Sequence, residues 1–436
     1  MRRSNHNETN GLPIGNEFSR VVAEIIFQEI DLKIEKFLEG KFRLFYGQEY
    51  EIIRYVDDYI IYSNSEDMLD VIVKAVGDQL SEFNLFLNDS KFEKFSRPIL
   101  TDNSSLIISV KSIVSELDKV VFSLSENAGE NEILNRIRNI HSVKLAFVDK
   151  VKRACMLSSS GYGVASSFLI SVFGRRINRV IRQVNKKVGN GIDFNSKDYV
   201  DEAISVRSAL QLFMELIFYF YSVSPTLNSS TNLSKSIIVI DRFIADFMPE
   251  QLDYLRTSFS FEVENILRFE DCDGYLDNYI SLEKMNILLS VSGYDLNKYG
   301  VDLSIIESII NTSKKELGYF EIISLLYYCK DNAKYEAVNK IIQKKCSSYL
   351  DEYLKKDSLY TSSEALHLSL DIITCPYIKD DIRKKALRLV LISARKKNNS
   401  EVLQILDRLK DRYWFVKWKG GDIYSLLERK SLRFTY

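Results

Sequence analysis

Glycine and proline are scarce along this chain, with 17 and 5 among its 436 residues. Architectures made of sheets and tight turns use more of both, because these residues end strands and reverse the chain. The sequence therefore predicts a mostly helical protein. Its length is sufficient for about two or three domains with buried cores.

The first hundred residues follow a different pattern from the rest. Apolar residues recur at helical spacing over 18–38, strand-like runs follow at 42–46 and 50–62, a helix is predicted over 68–83, and a short strand at 85–87. This order is typical of an α+β layer. After Pro98 long helices with few turn signals are predicted. We expect an α-rich α+β protein with three domains: 1–100, a helical region over 101–192, and a HEAT-like helical array over 193–436.

Charge and cysteine usage exclude several classes of protein. The net charge of −1 means that any nucleic-acid surface must be local. The five cysteines are far apart and form no CxxC or Cys/His cluster, which argues against a disulfide framework or a zinc site and fits the cytoplasm. The uncharged stretch 154–174 is broken by serine and glycine, so we expect a buried helix pair and no membrane segment.

Two adjacent carboxylates, Asp57 and Asp58, lie between strand-like runs that contain Ile52-Ile53 and Ile60-Ile61. We expect these isoleucines to anchor both strands in a core. Neighbouring carboxylates at a hairpin tip repel each other, and a divalent cation relieves that repulsion. Mg²⁺ (or Mn²⁺) prefers such oxygen ligands, and two-metal phosphoryl transfer uses them. The alternative is an ordinary solvated Asp-Asp turn.

Polar segments lie on either side of this turn. Residues 11–20, GLPIGNEFSR, join glycine and proline to the start of a helix, whose free N–H groups suit an anionic ligand. A helix cap at Asn16 or Ser19 is the alternative. Residues 84–93, NLFLNDSKFE, contain Lys91 after a short apolar run, and a solvated lysine is the alternative there.

In order and spacing, these three segments resemble motifs of reverse transcriptases. GLPIGNEFSR resembles motif B, YVDD at 55–58 resembles motif C, and NLFLNDSKFE resembles motif D, so the similarity covers residues 10–95. The form of motif B is most similar to bacterial abortive-infection and defence-associated reverse transcriptases. Those enzymes also carry a long helical C-terminal region, and this chain has a comparable one.

The resemblance implies a partial palm and an RNA-directed DNA polymerase, a nucleotidyltransferase of antiviral defence that acts on deoxynucleotides and nucleic acid. Asp57 is expected to be the main catalytic metal ligand, Asp58 a supporting one, and Lys91 to assist the leaving pyrophosphate. Tyr55 is expected near the primer terminus. The residues expected to contact template and incoming nucleotide are Gly11, Leu12, Pro13, Ile14, Gly15 and Ser19. Oligomers are also expected.

The chain departs from the family pattern in one respect. Motif A, an aspartate on an aromatic-rich strand, should precede motif B by several tens of residues, but only ten residues precede Gly11 and none is aspartate. Two metals need more than the Asp57–Asp58 pair. We therefore expect a second chain or an upstream segment to supply the fingers and motif A, and this chain alone to be inactive.

A basic helical face follows the motifs. Residues 150–188 contain no acidic residue, and the cations that fall on one helical face are Arg175, Arg179, Arg182 and Lys186. Such a face suits a thumb-like element that grips a nucleic-acid backbone. A solvated charged face is the alternative. Near the end, residues 413–419, YWFVKWK, could stack bases or belong to a core.

Two other functions compete with polymerisation. The chain could be a non-catalytic nucleic-acid-binding or assembly subunit that retains Asp57 and Asp58. Arg136 and His141 also fit the RxxxxH spacing of HEPN-type ribonucleases, which place both residues on one helical face. This second alternative is the weaker, because the pattern is short.

Overall fold

The fold forms two compact units. The computed structural model divides into unit 1, Met1–Ile99, and unit 2, Leu100–Tyr436. The described residues are 17–97, 101–124, 132–158, 161–189, 194, 196–268, 282–312, 317–356, 359, 362–394, 402–409 and 412–420. Within them the chain is mostly helical, as the scarcity of glycine and proline predicted.

Unit 1 packs two helices against one β-hairpin. Its elements are α1 (Glu17–Phe37), β1 (Tyr50–Tyr55), β2 (Asp58–Ser63) and α2 (Glu66–Ser81). The Ser65 side chain accepts a hydrogen bond from the Met68 backbone N–H and so caps α2. The core of the unit is Ile30, Ile34, Leu38, Tyr50, Ile72, Ala75, Val76 and Leu80.

Two short strands predicted in this unit are wrong. Residues 38–42 form a single π-helical turn after α1, and Arg43 ends it with φ 56°. Residues 85–87 are irregular. Neither segment has a ladder partner within the described residues beyond an isolated bridge at Tyr46, and a strand needs such a partner to satisfy its backbone groups.

Within the described residues, unit 2 contains long helices and one small hairpin. Its elements are α3 (Asp102–Val121), β3 (Phe122–Leu124), β4 (Glu132–Leu134), α4 (Ile140–Met156), α5 (Gly161–Gly189), α6 (Val200–Val223), α7 (Leu227–Phe247), α8 (Leu252–Arg268), α9 (Leu282–Ser290), α10 (Leu296–Tyr299), α11 (Leu303–Thr312), α12 (Tyr319–Cys329), α13 (Glu336–Lys356), α14 (Ser363–Thr374), α15 (Asp380–Ser393) and α16 (Val402–Leu409). One continuous core extends from Leu106 to Trp418. The domain division at 192/193 stays a prediction.

The centre of unit 2 is the packing of α5 against α6 and α7. Phe173 of α5 stacks on Phe213 of α6 with ring centroids 5.8 Å apart, and Phe147 and Phe220 complete an aromatic cluster. Among the described helices, α6 is long and apolar enough to cross a membrane by length and composition. However, 72% of its apolar window is buried inside the protein, as in a core helix.

Candidate functional site

The Asp57–Asp58 pair lies at the tip of the β1–β2 hairpin. The two strands are antiparallel, Tyr55 pairs with Asp58, and Val56 and Asp57 form the turn. Val56 has φ 58°, a left-handed conformation that is rare for a β-branched residue and costs about 1–3 kcal/mol. Both carboxylates are exposed. The sequence prediction of carboxylates at a hairpin tip is therefore matched by the backbone.

The two faces of the hairpin have different environments. Ile52 and Ile61 pack against the core of unit 1, whereas Ile53 and Ile60, which pair across the strands, are both 50% exposed. The expectation that all four isoleucines anchor the core was thus wrong for two of them. Successive side chains of a strand point to opposite faces, so one residue of each pair must face outward. Tyr55, 77% exposed, lies on the same outer face.

Arg54 fixes the hairpin tip to α1. Its Nε donates to Asp31 Oδ2 at 2.9 Å, and its two terminal nitrogens donate to the Glu24 carboxylate at 3.1 and 2.8 Å. Nη1 also donates to the Val56 carbonyl oxygen at 3.0 Å, inside the turn itself. The guanidinium carbon lies 4.8 Å from the centroid of the Phe27 ring. A single side chain therefore joins the helix to the strained turn.

The electrostatics of this Arg54 cluster favour its charged form. The pKa of Arg54 is raised, chiefly because Glu24 accepts its hydrogen bonds, and the same bonds lower the pKa of Glu24. The Tyr59 hydroxyl donates to Asp31 at 3.2 Å, and burial together with the Asp31 charge raises the pKa of Tyr59. Sequence reasoning missed this cluster. The signal was present, since Glu24 and Asp31 are seven residues apart and share one helical face.

Of the other expected site residues, only some lie in the part of the chain that the structure describes. Gly11, Leu12, Pro13, Ile14 and Gly15 lie outside the described residues. Ser19 is buried in the first turn of α1, and its Oγ has no hydrogen-bond partner within the described part of the chain.

Lys91 ends a 3₁₀ turn, Asp89–Lys91, beyond α2. Its side chain is exposed, as the solvated-lysine alternative also requires.

The chemistry of Asp57 and Asp58 suits a divalent cation, since both are exposed oxygen donors. Within the described residues, no group of three His, Cys, Asp or Glu side chains lies close enough to hold a metal. The pair therefore fits part of a magnesium site.

The basic face of α5 is only partly exposed. Arg175, Arg182 and Lys186 are exposed, whereas Arg179 is half-buried with its guanidinium carbon 4.2 Å from the Phe122 ring centroid. Arg179 thus helps to hold β3 against α5. The neighbouring Arg176 pairs with Asp118 at 2.6 Å.

The aromatic segment 413–419 is also partly buried and partly exposed. Trp418 is 5% exposed and its Nε1 donates to the Asp371 carbonyl oxygen, so it belongs to the core. Tyr413, Trp414 and Phe415 are exposed.

The ribonuclease alternative required a shared helical face. His141 lies in the first turn of α4, but Arg136 lies before that helix and pairs with Asp201 at 2.9 Å. The required face is therefore not formed.

Comparison with known proteins supports a relationship to reverse transcriptases for the first part of the chain. The family model "Reverse transcriptase (RNA-dependent DNA polymerase)" matches residues 1–119, which include the β1–β2 hairpin and all three motif segments. At the level of the family, this match supports a reverse-transcriptase-type polymerase of the nucleotidyltransferase class. No curated protein matches the chain.

Proposed function

We propose that this protein is a reverse-transcriptase-type DNA polymerase that carries out metal-dependent nucleotidyl transfer. One observation carries the proposal: Asp57 and Asp58 lie on a strained hairpin turn, tied to α1 by Arg54, inside the segment that matches the family. Strain of this kind is retained where the surrounding structure enforces it and where geometry serves function.

The proposed reaction joins a primer 3′-hydroxyl oxygen to the α-phosphorus of a deoxynucleoside triphosphate, releases the hydroxyl proton to solvent and breaks the phosphoanhydride bond to pyrophosphate. Bound Mg²⁺ (or Mn²⁺) would neutralise charge that develops on the phosphoryl oxygens. Asp57 and Asp58 would hold the cation, and Lys91 would deliver a proton to the pyrophosphate. Tyr55 would contact the primer terminus, and residues 11–15 with Ser19 the template and incoming nucleotide.

A third carboxylate completes this proposal. Two-metal transfer needs ligands beyond Asp57 and Asp58, and we place the remaining aspartate, equivalent to motif A, on a partner chain or an upstream segment. The outer face of the hairpin, where Ile53 and Ile60 are exposed, would receive the strand that carries it. This chain by itself would then bind substrates without polymerising them.

The rest of the chain would grip and organise the nucleic acid. Arg175, Arg182 and Lys186 would contact the phosphate backbone, with Arg179 in a mixed structural role. The helices after α5 would form a HEAT-like array that supports an oligomer. The setting proposed is cytoplasmic antiphage defence of the abortive-infection type.

The test is metal-dependent nucleotide binding by the full chain. We expect a labelled deoxynucleoside triphosphate, together with a primer–template duplex, to bind in Mg²⁺ and to lose at least about tenfold in affinity in Asp57→Asn. The matched control is Asp67→Asn, an exposed carboxylate of the same unit at the start of α2. Equal affinity in Asp57→Asn and Asp67→Asn would contradict a working site.

A primer-extension assay tests whether the isolated chain needs a third carboxylate from elsewhere. Efficient primer extension by the isolated chain would refute the need for a third carboxylate from elsewhere. The non-catalytic alternative, a nucleic-acid-binding or assembly subunit, is favoured by the lack of a third metal-ligating side chain beside this pair within the described residues. Duplex binding that is indifferent to Mg²⁺ and to Asp57→Asn would support that alternative.

A further inference from the structure

A cavity in unit 2 is lined by the segment Arg136–His141, by one face of α6 and by the start of α8. Its volume is about 740 Å³. Sites for small ligands and cofactors range over about 300–1,000 Å³, so the cavity can take a nucleotide. The residues that matter for its chemistry are Arg136, Arg138, His141, Arg207, Gln211 and Tyr254.

The lining carries a surplus of positive charge. It contains three arginines against a single carboxylate, Glu215. That carboxylate pairs with Lys144 at 2.8 Å, so it does not neutralise the arginines. A concave surface with one sign of charge concentrates ligands of the opposite sign.

Within the part of the chain that the structure describes, several donors at the cavity have no partner. The side chains of Arg138 and His141 are exposed and make no hydrogen bond or ion pair within the described part of the chain. Arg207 donates from Nη1 to Gln251 at 2.8 Å, but its Nε is buried without a partner there. A buried N–H of a guanidinium costs free energy unless an acceptor is supplied. Arg138 and His141 therefore offer exposed donors to an anion, and Arg207 adds its positive charge beside them.

Arg136 adds a donor that a ligand can recruit. Its bridge to Asp201 is exposed on both sides, with side chains 55% and 88% accessible. Exposed ion pairs of this kind contribute little free energy, so replacing Asp201 by a ligand oxygen as the partner of Arg136 costs little free energy.

Tyr254 supplies a planar surface at the cavity. Its ring is 49% exposed, and its hydroxyl accepts a hydrogen bond from Gln211 Nε2 at 3.2 Å, which fixes the ring orientation. The Arg207 guanidinium carbon lies 5.4 Å from the ring centroid. An exposed aromatic ring beside arginines is the arrangement that binds a base and its phosphate together.

We propose that this cavity binds the phosphate of a nucleotide through Arg138, His141 and Arg207, with the base against Tyr254. The same chemistry is offered by a free nucleoside triphosphate and by one nucleotide of a single strand. The site is independent of Asp57 and Asp58 and needs no metal.

The experiment measures binding of N-methylanthraniloyl-dATP to the full chain in EDTA, which removes metal-dependent binding at the hairpin. We expect one site per chain, and a loss of at least about tenfold in affinity for Arg138→Ala and for His141→Ala. Neither side chain has a partner within the described residues, so both variants should fold, and circular dichroism checks this. The matched control is Arg388→Ala on α15, an exposed arginine outside the cavity that should bind normally.

Competition identifies the ligand chemistry. Tripolyphosphate should displace the probe, whereas deoxyadenosine and polyglutamate should not. Displacement by oligothymidylate at lower concentration than by dATP would assign the site to a strand, and the reverse order would assign it to free nucleotide. Absence of metal-independent binding, unchanged affinity in Arg138→Ala and His141→Ala, or displacement by polyglutamate would overturn the proposal.

Discussion

Replacing Arg54 with methionine tests whether one side chain holds the hairpin tip in place. The methionine keeps an apolar stem beside Phe27 but removes the guanidinium. It thereby deletes the hydrogen bonds to Asp31, to Glu24 and to the Val56 carbonyl oxygen. Breaking a fully buried ion pair costs about 3–5 kcal/mol. The Arg54 side chain is only 8% exposed, but Asp31 is 33% exposed and regains water.

We therefore expect a loss of roughly 2–3 kcal/mol in the free energy of unfolding of unit 1. For a unit of this size that corresponds to a fall in Tm of about 10 °C or more. Hydrogen exchange should accelerate most in peptides that cover Tyr50–Ser63, because the turn loses its tie to α1. Thermal unfolding and exchange mass spectrometry measure the two effects.

The control is Lys74→Met, which removes an exposed cation on α2 that has no partner within the described residues. It should change the free energy of unfolding by less than about 0.5 kcal/mol. If Arg54→Met were no less stable than Lys74→Met, the cluster would not be holding the turn, and our reasoning would fail.

Acid titration gives an independent check on the Arg54 cluster. Glu24 has a lowered pKa, mainly because of its hydrogen bonds from Arg54. Its contribution to stability is therefore present above the ordinary value of 4.5 and is lost as the pH falls through the lower, folded pKa. Arg54→Met should flatten this acid dependence. A pH profile below 4.5 that is unchanged in the variant would contradict the assignment.

The remaining predictions concern the turn, the C-terminal segment and the basic helix. Val56→Gly should stabilise unit 1 by up to about 1 kcal/mol in urea unfolding, because glycine adopts φ 58° without strain; a loss of stability would refute strain at the turn. Asp371→Ala should destabilise unit 2 by about 3 kcal/mol in thermal unfolding, since Asp371 is fully buried and accepts from the Tyr319 hydroxyl and two backbone N–H groups; a change under 1 kcal/mol would contradict this. Replacing Arg175, Arg182 and Lys186 with alanine should reduce the slope of log affinity against log salt concentration for duplex binding by the equivalent of up to three phosphate contacts. Arg388→Ala is the control, and an unchanged slope would show that α5 is not part of the interface.

Local patterns allowed much of unit 1 to be read from the sequence. The spacing of apolar residues predicted a helix over 18–38 and another over 68–83, and the structure has α1 and α2 within two residues of those bounds. Strand-like runs rich in β-branched and aromatic residues on both sides of Asp57-Asp58 predicted a hairpin with the carboxylates at its tip. These features follow from interactions between residues that are near in sequence, so the sequence displays them directly.

The tertiary structure decided which of these residues are available for chemistry. Arg54 meets Asp31 and Glu24, which are 23 and 30 residues away in the chain, and that contact exists only once α1 packs on the hairpin. Likewise, helical spacing places Arg179 on the same basic face as Arg175 and Arg182, but in the folded protein its guanidinium lies against the Phe122 ring.

The sequence by itself determined the order of the motifs, the helical content and the charge of the basic helix. It could not determine that Ile53 faces outward while Ile52 is packed, or that Arg138 and His141 line a cavity with Arg207 of α6. The physical reason is the same in both cases. Helix and strand periodicity arise from local backbone geometry, whereas burial and ion pairing depend on which distant surfaces come together when the chain packs.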